Sequence, residues 1–428
     1  MLKTIKLIDN IEFNTYKELK NATKIKYRGY LMRDILATDY IYFAYKRYLE
    51  AISVKNIFLN LMATPDLKAF KKELSNNCVL FTSSNYGKDH RKLLDSIVDD
   101  VNKAIIINKN SRRLKFKFDI NNIIISFWQI FAHHKTNTSF ITRLFFFSKL
   151  VYYKNFIDEL EKINYKINIK SYVSFLSCMT DDSIYCQFFK KRGVLTYCIQ
   201  HGAYASEHEY KKKIPMDVVN IENFQADYML GWGDSIRSSM IKQGFLNEQF
   251  ILAGNPKYKN IKNVSLKKPD FKKVVVCLAR DFYMDENIQL LEIASKLKLL
   301  GIKVFIKYHP RSIVEKYAGV IGTNNLITLE PSISLNETIS QYQIDFAIVY
   351  NSTVYYEFYI LGMIPFRFIL NENDILFGLD DGFTDYQGLI NKIEEFKLLN
   401  YTDLSVNASV MVNRFSSLGI NNYKKILC

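Results

Sequence analysis

The chain has 428 residues, 48% hydrophobic and 24% charged, a globular balance that excludes an intrinsically disordered protein. Gly (16) and Pro (7) are too sparse for collagen-like or low-complexity sequence. Lys and Arg number 58 against 43 Asp and Glu, and the formal net charge of +15 predicts an anionic partner: nucleic acid, a phosphorylated small molecule or an anionic membrane face.

At roughly 100–200 residues per domain the length suits two domains with a helical appendage. Met1–Asn10 carries Lys3 and Lys6 with no apolar run or small-residue cleavage site behind it, so no secretory leader is expected. The uncharged apolar stretches fall short of the ~20 residues of a bilayer span. None of the six cysteines (78, 178, 186, 198, 277, 428) forms a CxxC pair, and buried free thiols in a reducing compartment are the expectation. The six histidines lack paired-ligand spacing, so no metal site is expected.

Residues 1–75 read as helical and Lys/Tyr-rich, with Tyr27–Tyr48 a good candidate helix. Asn77–Thr82 reads as a buried strand running into a polar loop, and residues 88–165 again read mainly helical. Within them Phe140–Tyr153 (FITRLFFFSKLVYY) reads as a core helix, with docking of Arg143–Lys149 on an anionic bilayer as the alternative. From about 171 the pattern becomes strand, helix, strand: Ser171–Leu176, Asp182–Arg192, Val194–Ile199. That spacing is a βαβ unit and implies a parallel sheet. Short strands follow at Asp227–Leu230 and Phe250–Ala253, with a helix at Ser235–Gln243 between them. The Lys-rich stretch with Pro269 reads as a linker. A second series has strands at Lys273–Leu278, Lys303–Tyr308, Leu326–Leu329, Phe346–Tyr350 and Ile364–Leu370. Its helices are Asp285–Leu300, Ser334–Tyr342 and one from Asn351 to about Gly362; Asp385–Leu398 and Ser405–Leu427 close the chain as helices. The division expected is 1–255, a linker at 256–272, a second domain at 273–400 and a helical tail at 401–428.

Open parallel sheets bind ligands beyond the carboxyl ends of their strands, and four motifs fall there. Gln200-His201-Gly202 follows VLTYCI: His201 has a near-neutral pKa suited to proton abstraction, and Gly202 admits close backbone approach, against a hydrogen-bonded turn histidine. Lys307-Tyr308-His309-Pro310-Arg311 follows KVFIKY and clusters three cations for a phosphate, against a solvated junction. Asn351-Ser352-Thr353 opens a helix, with Glu357 one turn on; Ser352 and Thr353 would cap it and meet an anion, Glu357 a ribose, against a plain N-cap. Gly231-Trp232-Gly233 and Gly254-Asn255-Pro256-Lys257 are glycine turns, ordinary or cleft-lining. Gly202, Gly233, Asn255 and Arg280 are the cleft-lining residues expected.

The succession QHG, ADYMLGWG, ILAGNPKY, KYHP, NSTVYYE resembles bacterial glycosyltransferases of the GT-B fold that build capsule and lipopolysaccharide, including polysialyltransferase-like and Kdo-transferase-like families. The HP and S/T motifs are similar to those of bacterial sialyltransferases, and HG followed by HP to CDP-glycerol glycerophosphotransferases. The resemblance covers about residues 171–370. It implies an α/β, GT-B-like fold: two Rossmann-like domains facing across a cleft, with extra N-terminal helices. It implies an inverting, metal-independent transferase that moves a sugar from a nucleotide donor, a CMP-sugar in preference to a UDP-sugar, to a lipid-linked or oligosaccharide acceptor, with no cofactor. His309, with Lys307, Pro310 and Arg311, would contact the donor phosphate together with Ser352 and Thr353; Glu357 would approach the ribose or sugar; His201 would be the general base. One departure stands out: the acidic motif of sialyltransferase-like families is not found in the first half, and Asp380-Asp381-Gly382 lies in the second. The alternatives are a CDP-polyol phosphotransferase and a non-enzymatic binder of nucleic acid or membrane; no nucleic-acid-binding signature is present, and no specific nucleic acid is expected. The location implied is cytoplasmic, with peripheral contact at an anionic inner membrane face.

Overall fold

The computed structural model describes residues 10–46, 52–83, 87–108, 114–133, 138–163, 167–210, 214–310, 312–370 and 377–428. Contacts divide the chain into two compact units. The first holds the described residues up to Trp232 together with Ile236–Lys257 and Asn421–Cys428; the second holds Gly233–Ser235 and Tyr258–Ile420.

The first unit begins with α1 (Ile11–Ala22) and the hairpin β1 (Lys26–Tyr27) and β2 (Tyr30–Leu31), followed by α2 (Met32–Ile35) and α3 (Ala37–Ala44). The hairpin replaces the start of the helix expected at Tyr27–Tyr48. Arg28 and Gly29 both take positive φ (48° and 85°), the two-residue turn whose twist suits paired strands and which glycine makes cheap. Next come α4 (Val54–Met62), β3 (Ala63–Pro65), α5 (Lys68–Glu73), β4 (Val79–Ser83), α6 (Gly87–Val98), β5 (Ala104–Asn108) and β6 (Leu114–Phe116). β5 and β6 lie where helix was expected. The run AIIIN is short, apolar and β-branched, and it pairs as the sheet's edge. Then follow α7 (Ile120–Trp128), a π-helical turn (Gln129–His133), α8 (Phe140–Glu161), β7 (Ser171–Ser174), α9 (Thr180–Lys190), β8 (Leu195–Ile199), α10 (Val219–Glu222), β9 (Tyr228–Gly231), α11 (Asp234–Lys242) and β10 (Phe250–Leu252). Six strands form one parallel sheet in the order β10-β9-β8-β7-β4-β5. In α8, Phe145, Phe146 and Phe147 are 1, 1 and 5% exposed, so the aromatic run is core and not a docking face.

The second unit has β11 (Lys273–Cys277), α12 (Met284–Lys296), β12 (Lys303–Lys307), α13 (Ala318–Asn324), β13 (Ile327–Thr328), α14 (Leu335–Tyr342), β14 (Phe346–Val349), α15 (Val354–Ile360), β15 (Ile364–Phe368), β16 (Gly382–Phe383), α16 (Tyr386–Leu398) and α17 (Tyr401–Phe415). Its six parallel strands run β13-β12-β11-β14-β15-β16. β11 and β14 are buried along nearly their whole length, which is why they read as continuous runs (KVVVC, FAIV) and not as alternation. Residues 258–272 belong to this unit: Val264, Leu266 and Phe271 are buried, and the Val264 and Leu266 amides donate to Ser409 and Ser405 of α17 at 2.8 and 3.0 Å. The last helix, α18 (Tyr423–Leu427), returns to the first unit, where Asn422 Nδ2 donates to the Leu252 carbonyl at 3.0 Å. The protein is thus an α/β chain of two Rossmann-like units. In each, the strand order reverses once, between β4 and β7 and between β11 and β14.

Candidate active site

Parallel strands end on one edge, so the loops that follow them converge there. In the second unit Cys277 pairs with both Lys307 and Val349, and β11, β12 and β14 therefore end level. Directly beyond lie Arg280, exposed; His309, half-buried, with Pro310 exposed beside it; and Asn351-Ser352-Thr353, half-buried. Arg311 lies outside the described residues. Lys307 Nζ donates to the Ile333 carbonyl at 2.5 Å. Burial pushes the Cys277 thiol up to about 12; Lys307 pulls it down and Glu357 raises it further, which places both charges within reach of one strand end.

The loop after β11 is pinned by two side chains that sequence reasoning missed. Buried Asn287 accepts the Ala279 amide at 2.9 Å and donates to the Ala279 carbonyl at 3.0 Å. Asp281 accepts the Ile313 amide at 3.0 Å and the Tyr317 hydroxyl at 3.2 Å, joining this loop to the one after β12. Burial raises the Asp281 pKa, but the Ile313 N–H, Ser312, Tyr317 and Lys316 outweigh it and hold the carboxyl below its ordinary value.

The helix opened by Asn351-Ser352-Thr353 departs from the cap expected. Asn351 sits in the left-handed region (φ 43°), and Thr353 occupies the cap position with no side-chain cap bond. The Ser352 and Thr353 carbonyls accept the Tyr355 and Tyr356 amides, both at 3.1 Å. Among the described residues neither hydroxyl has a protein partner. α15 has seven residues, too few for a large macrodipole, so the chemistry offered here is two half-buried hydroxyls. α15 is fixed from behind by buried Asp381, which accepts the Tyr355 and Tyr359 hydroxyls, both at 2.5 Å, and Arg367 Nε at 2.7 Å. The acidic pair of Asp380-Asp381-Gly382 thus spends its second carboxylate on packing.

In the first unit His201 follows β8 and is enclosed by rings. Phe175, just past β7, stacks on it at 4.7 Å and 28°. His90 of α6 meets it edge-on at 5.3 Å and Tyr204 at 5.1 Å. The Tyr204 hydroxyl hydrogen-bonds the His201 ring, and burial holds that phenol well above its ordinary pKa. His90 is the residue that sequence reasoning missed: only the β4-to-β7 reversal brings α6 to this edge. Gln200, fully buried, explains its own place in the motif. Its amide donates to the Gly202 carbonyl at 2.9 Å, and its carbonyl accepts the Trp232 N–H at 2.6 Å, tying one strand end to the next. Gly202 has open space above it: nothing lies within 4 Å of where a Cβ would stand.

The other two cleft-lining candidates are engaged in packing. A Cβ on Gly233 would fall 2.7 Å from the backbone of Arg414 and Phe415, so glycine is required by close approach. Asn255 is 3% exposed and its side chain accepts the Lys257 amide at 3.1 Å, a local turn. Beside α4 and α8 the first unit also holds a groove of about 380 Å³, with Asn56, Asn60, Lys149, Tyr152 and Asp181 in its wall. Asp181 and Asp182 open α9; Asp182 is fully buried on Thr82 and Tyr172 at 2.7 and 2.8 Å, while Asp181 is half-buried in the groove. Among the described residues no cluster of three or more His, Cys, Asp or Glu is placed to hold a metal ion. Cys78, 178, 186, 198 and 277 are buried free thiols, and Cys428 is exposed.

No protein-family model and no curated protein matches the sequence. Several solved structures are similar. A UDP-GlcNAc 2-epimerase from Neisseria meningitidis bound to UDP-GlcNAc is 10% identical over 82% of this chain and 97% of that one, with a TM-score of 0.46. The lipopolysaccharide outer core galactosyltransferase WaaB, in its apo form, is 11% identical over 82% and 97%, TM-score 0.46. Anabaena HepE in complex with UDP and glucose is 12% identical over 82% and 98%, TM-score 0.47. The two-unit α/β assignment stands on the strand order of the sheets, and no residue's role passes to this chain from those proteins.

Proposed function

We propose that this chain is a glycosyltransferase that moves a sugar from a nucleotide-activated donor to a hydroxyl of a surface-polysaccharide acceptor. The observation that carries the reading is the level ending of β11, β12 and β14, which gathers Arg280, Lys307, His309 and the uncapped hydroxyls of Ser352 and Thr353 at one sheet edge, at the reversal of strand order. Cations and hydroxyls gathered at one edge suit a phosphate; the Asp281 carboxylate there is held by the Ile313 amide and the Tyr317 hydroxyl, and Glu357 takes the donor's ribose or sugar. The motif resemblance adds the finer choice, a CMP-sugar before a UDP-sugar, with inversion and no metal.

In the reaction the acceptor oxygen bonds the anomeric carbon as the bond from that carbon to the nucleotide phosphate breaks. The leaving phosphate keeps the electron pair, and His309, Ser352 and Thr353 stabilise its growing charge more than they stabilise bound donor. His201, oriented by Tyr204 and Phe175, takes the acceptor proton. Asp181 is the second candidate for that proton, because it sits among the rings and carboxamides of the groove.

Calorimetry with CMP, CDP and UDP, followed by product analysis with CMP-sugars, UDP-sugars and CDP-glycerol, tests the reading. A nucleotide that binds wild type and loses affinity in Ser352→Ala/Thr353→Ala supports it. Transfer from CDP-glycerol alone replaces it with polyol-phosphate transfer, and no nucleotide binding at all removes it.

A further inference from the structure

α7 has its polarity inside out. Its buried positions are Asn122 and Ser126, one turn apart, whereas Ile120, Ile124, Ile125, Phe127 and Trp128 are 59, 51, 46, 46 and 62% exposed. Asn122 is held by α8 and the first hairpin, while Ser126 Oγ is buried with no hydrogen-bond partner among the described residues. Asn122 Nδ2 donates to Asn155 and Asp158 of α8 at 3.0 and 2.9 Å, and Oδ1 accepts the Tyr27 hydroxyl at 3.0 Å. With the polar face used for packing, the apolar face is left outward. It continues in both directions. Upstream, Leu114, Phe116 and Phe118 are 56, 72 and 57% exposed and alternate with Lys115 and Lys117. Downstream, Phe127 stacks on Phe131 at 4.6 Å and Phe131 meets Phe140 at 5.6 Å; Phe140 and Ile141 are 67 and 61% exposed. Single exposed apolar residues need no explanation, but a run of this kind marks an interaction surface.

Charge decides what covers it. Between Ile120 and Ile157 there is no Asp or Glu at all. Asp119, at the head of α7, accepts the Asn122 amide as its cap. The carboxylates that pair with Lys115 and Lys117 (Asp158 and Glu159) lie buried on α8. α4 adds exposed Val54, Lys55 and Phe58, and its Leu59 shares the groove wall with Leu114. A second copy of this chain, of net charge +15, would set like charges against like; a layer of anionic headgroups neutralises them. No helix among the described residues is long and apolar enough to cross a membrane. We propose that the surface formed by β6, α7 and the start of α8 docks this chain on an anionic phospholipid bilayer, with α7 lying in the plane of the interface. The groove opens at the rim of this surface, within reach of a headgroup-level saccharide.

The chain's two tryptophans make the test direct. Trp232 is buried at 8% exposure, so a lipid-dependent change in emission reads Trp128. The full chain is mixed with vesicles of phosphatidylcholine alone, or of phosphatidylcholine with phosphatidylglycerol, some carrying brominated acyl chains, and co-sedimentation is measured in parallel. The expected result is a blue shift, bromine quenching and sedimentation with the anionic vesicles only. In Ile124→Ser/Ile125→Ser, which keeps Trp128, partitioning falls about tenfold or more at unchanged melting temperature. Phe116→Ser/Phe118→Ser is the second variant should the first fail to fold. Absence of wild-type binding, or equal partitioning of folded variants, overturns the proposal. So does a wild-type dimer in sedimentation velocity that the variants dissolve without any lipid effect, because the face would then be a self-interface.

Discussion

In the second unit the strands end on hydroxyls and cations, Ser352, Thr353, Lys307 and His309; in the first they end on rings, Phe175, His201 and Tyr204, with His90 alongside. The sheets beneath share a design: six parallel strands and one reversal of order. The sheets supply only an edge, and the loops supply the chemistry. An edge of half-buried donors suits a fixed charge on a ligand; an edge of stacked rings suits one oriented imidazole. The units differ also in what they leave outside. The first unit carries α4, β6 and α7 as additions to its sheet, and with them an apolar strip.

Loss of the charge-binding edge should be the most damaging change. His309→Ala is expected to abolish donor use while the melting temperature stays at the wild-type value, since His309 sits on a loop beyond β12. Normal turnover in that variant would strip the second unit of its assigned role. Ser352→Ala/Thr353→Ala is the companion: hydrogen bonds to a charged group contribute about 1.5–3 kcal/mol, so nucleotide affinity should fall by one or two orders of magnitude. His201→Ala, on the ring-lined edge, should lower the rate about 10²–10⁴-fold with much less effect on donor affinity. Collapse of donor binding instead would make His201 a ligand contact. Asp181→Asn is then the rate-lowering variant to look for. Tyr204→Phe should shift the pH profile of kcat without touching nucleotide affinity, as expected of a positioning residue.

Stability gives the next contrast. Arg367→Met leaves the Asp381 carboxylate buried without its cation and should cost the second unit about 3–5 kcal/mol, read as a fall in the denaturant midpoint. In the first unit, burial raises the pKa values of Glu159 and Glu161, but Lys115 and Lys162, and Arg192, Tyr30 and Lys191, outweigh it and hold each carboxyl at about 2 against 4.5. A depressed carboxyl contributes stability above its unfolded pKa and loses it as pH falls through the folded value, so this face weakens between pH 4.5 and about 2. In the second unit Asp381 moves the other way, because burial raises its pKa despite Arg367 and the two tyrosines, and Asp281 is held low. Against this single depressed carboxyl among its described residues the first unit has Glu159, Glu161 and Glu222, so it loses more as pH falls. Both tryptophans lie in the first unit. Acid unfolding followed by tryptophan emission should therefore set in at higher pH than the same transition followed by far-UV circular dichroism. Coincident curves would mean that the two units respond to acid alike.

Much of the second unit was legible in the sequence, because buried parallel strands and capped helices write themselves plainly: KVVVC and FAIV are strands, and Ser334 with Glu337 forms a capping box at α14. The misses have physical causes. The Arg28-Gly29 turn is a two-residue signal inside an aromatic, helix-like run. β5 is a five-residue edge strand, too short to separate from helix by periodicity. α7 was placed as helix within an apolar stretch, but which face looks outward depends on Asn122 finding Asn155 and Asp158, a tertiary pairing. His90 stands 111 positions before His201 and joins it only through the strand reversal. The Ser352-Thr353 motif was correctly placed at a helix start, yet its hydroxyls are not spent on the cap, and only the backbone geometry discloses that.

The smallest expected effect bears on the motif that both readings of the first unit share. Gly202 does not hold a positive φ, and nothing lies within 4 Å of the Cβ that alanine would add. Gly202→Ala should therefore leave folding stability within about 0.5 kcal/mol of wild type, as for a substitution away from packing. If a substrate approaches this backbone, the added methyl stands in its way, and KM for the acceptor rises while nucleotide affinity is unchanged. If His201 and Gly202 form only a structural turn, kcat and KM both stay where they were. Steady-state kinetics on this one variant thus separates a ring-lined catalytic edge from a ring-lined packing edge without disturbing the rings themselves.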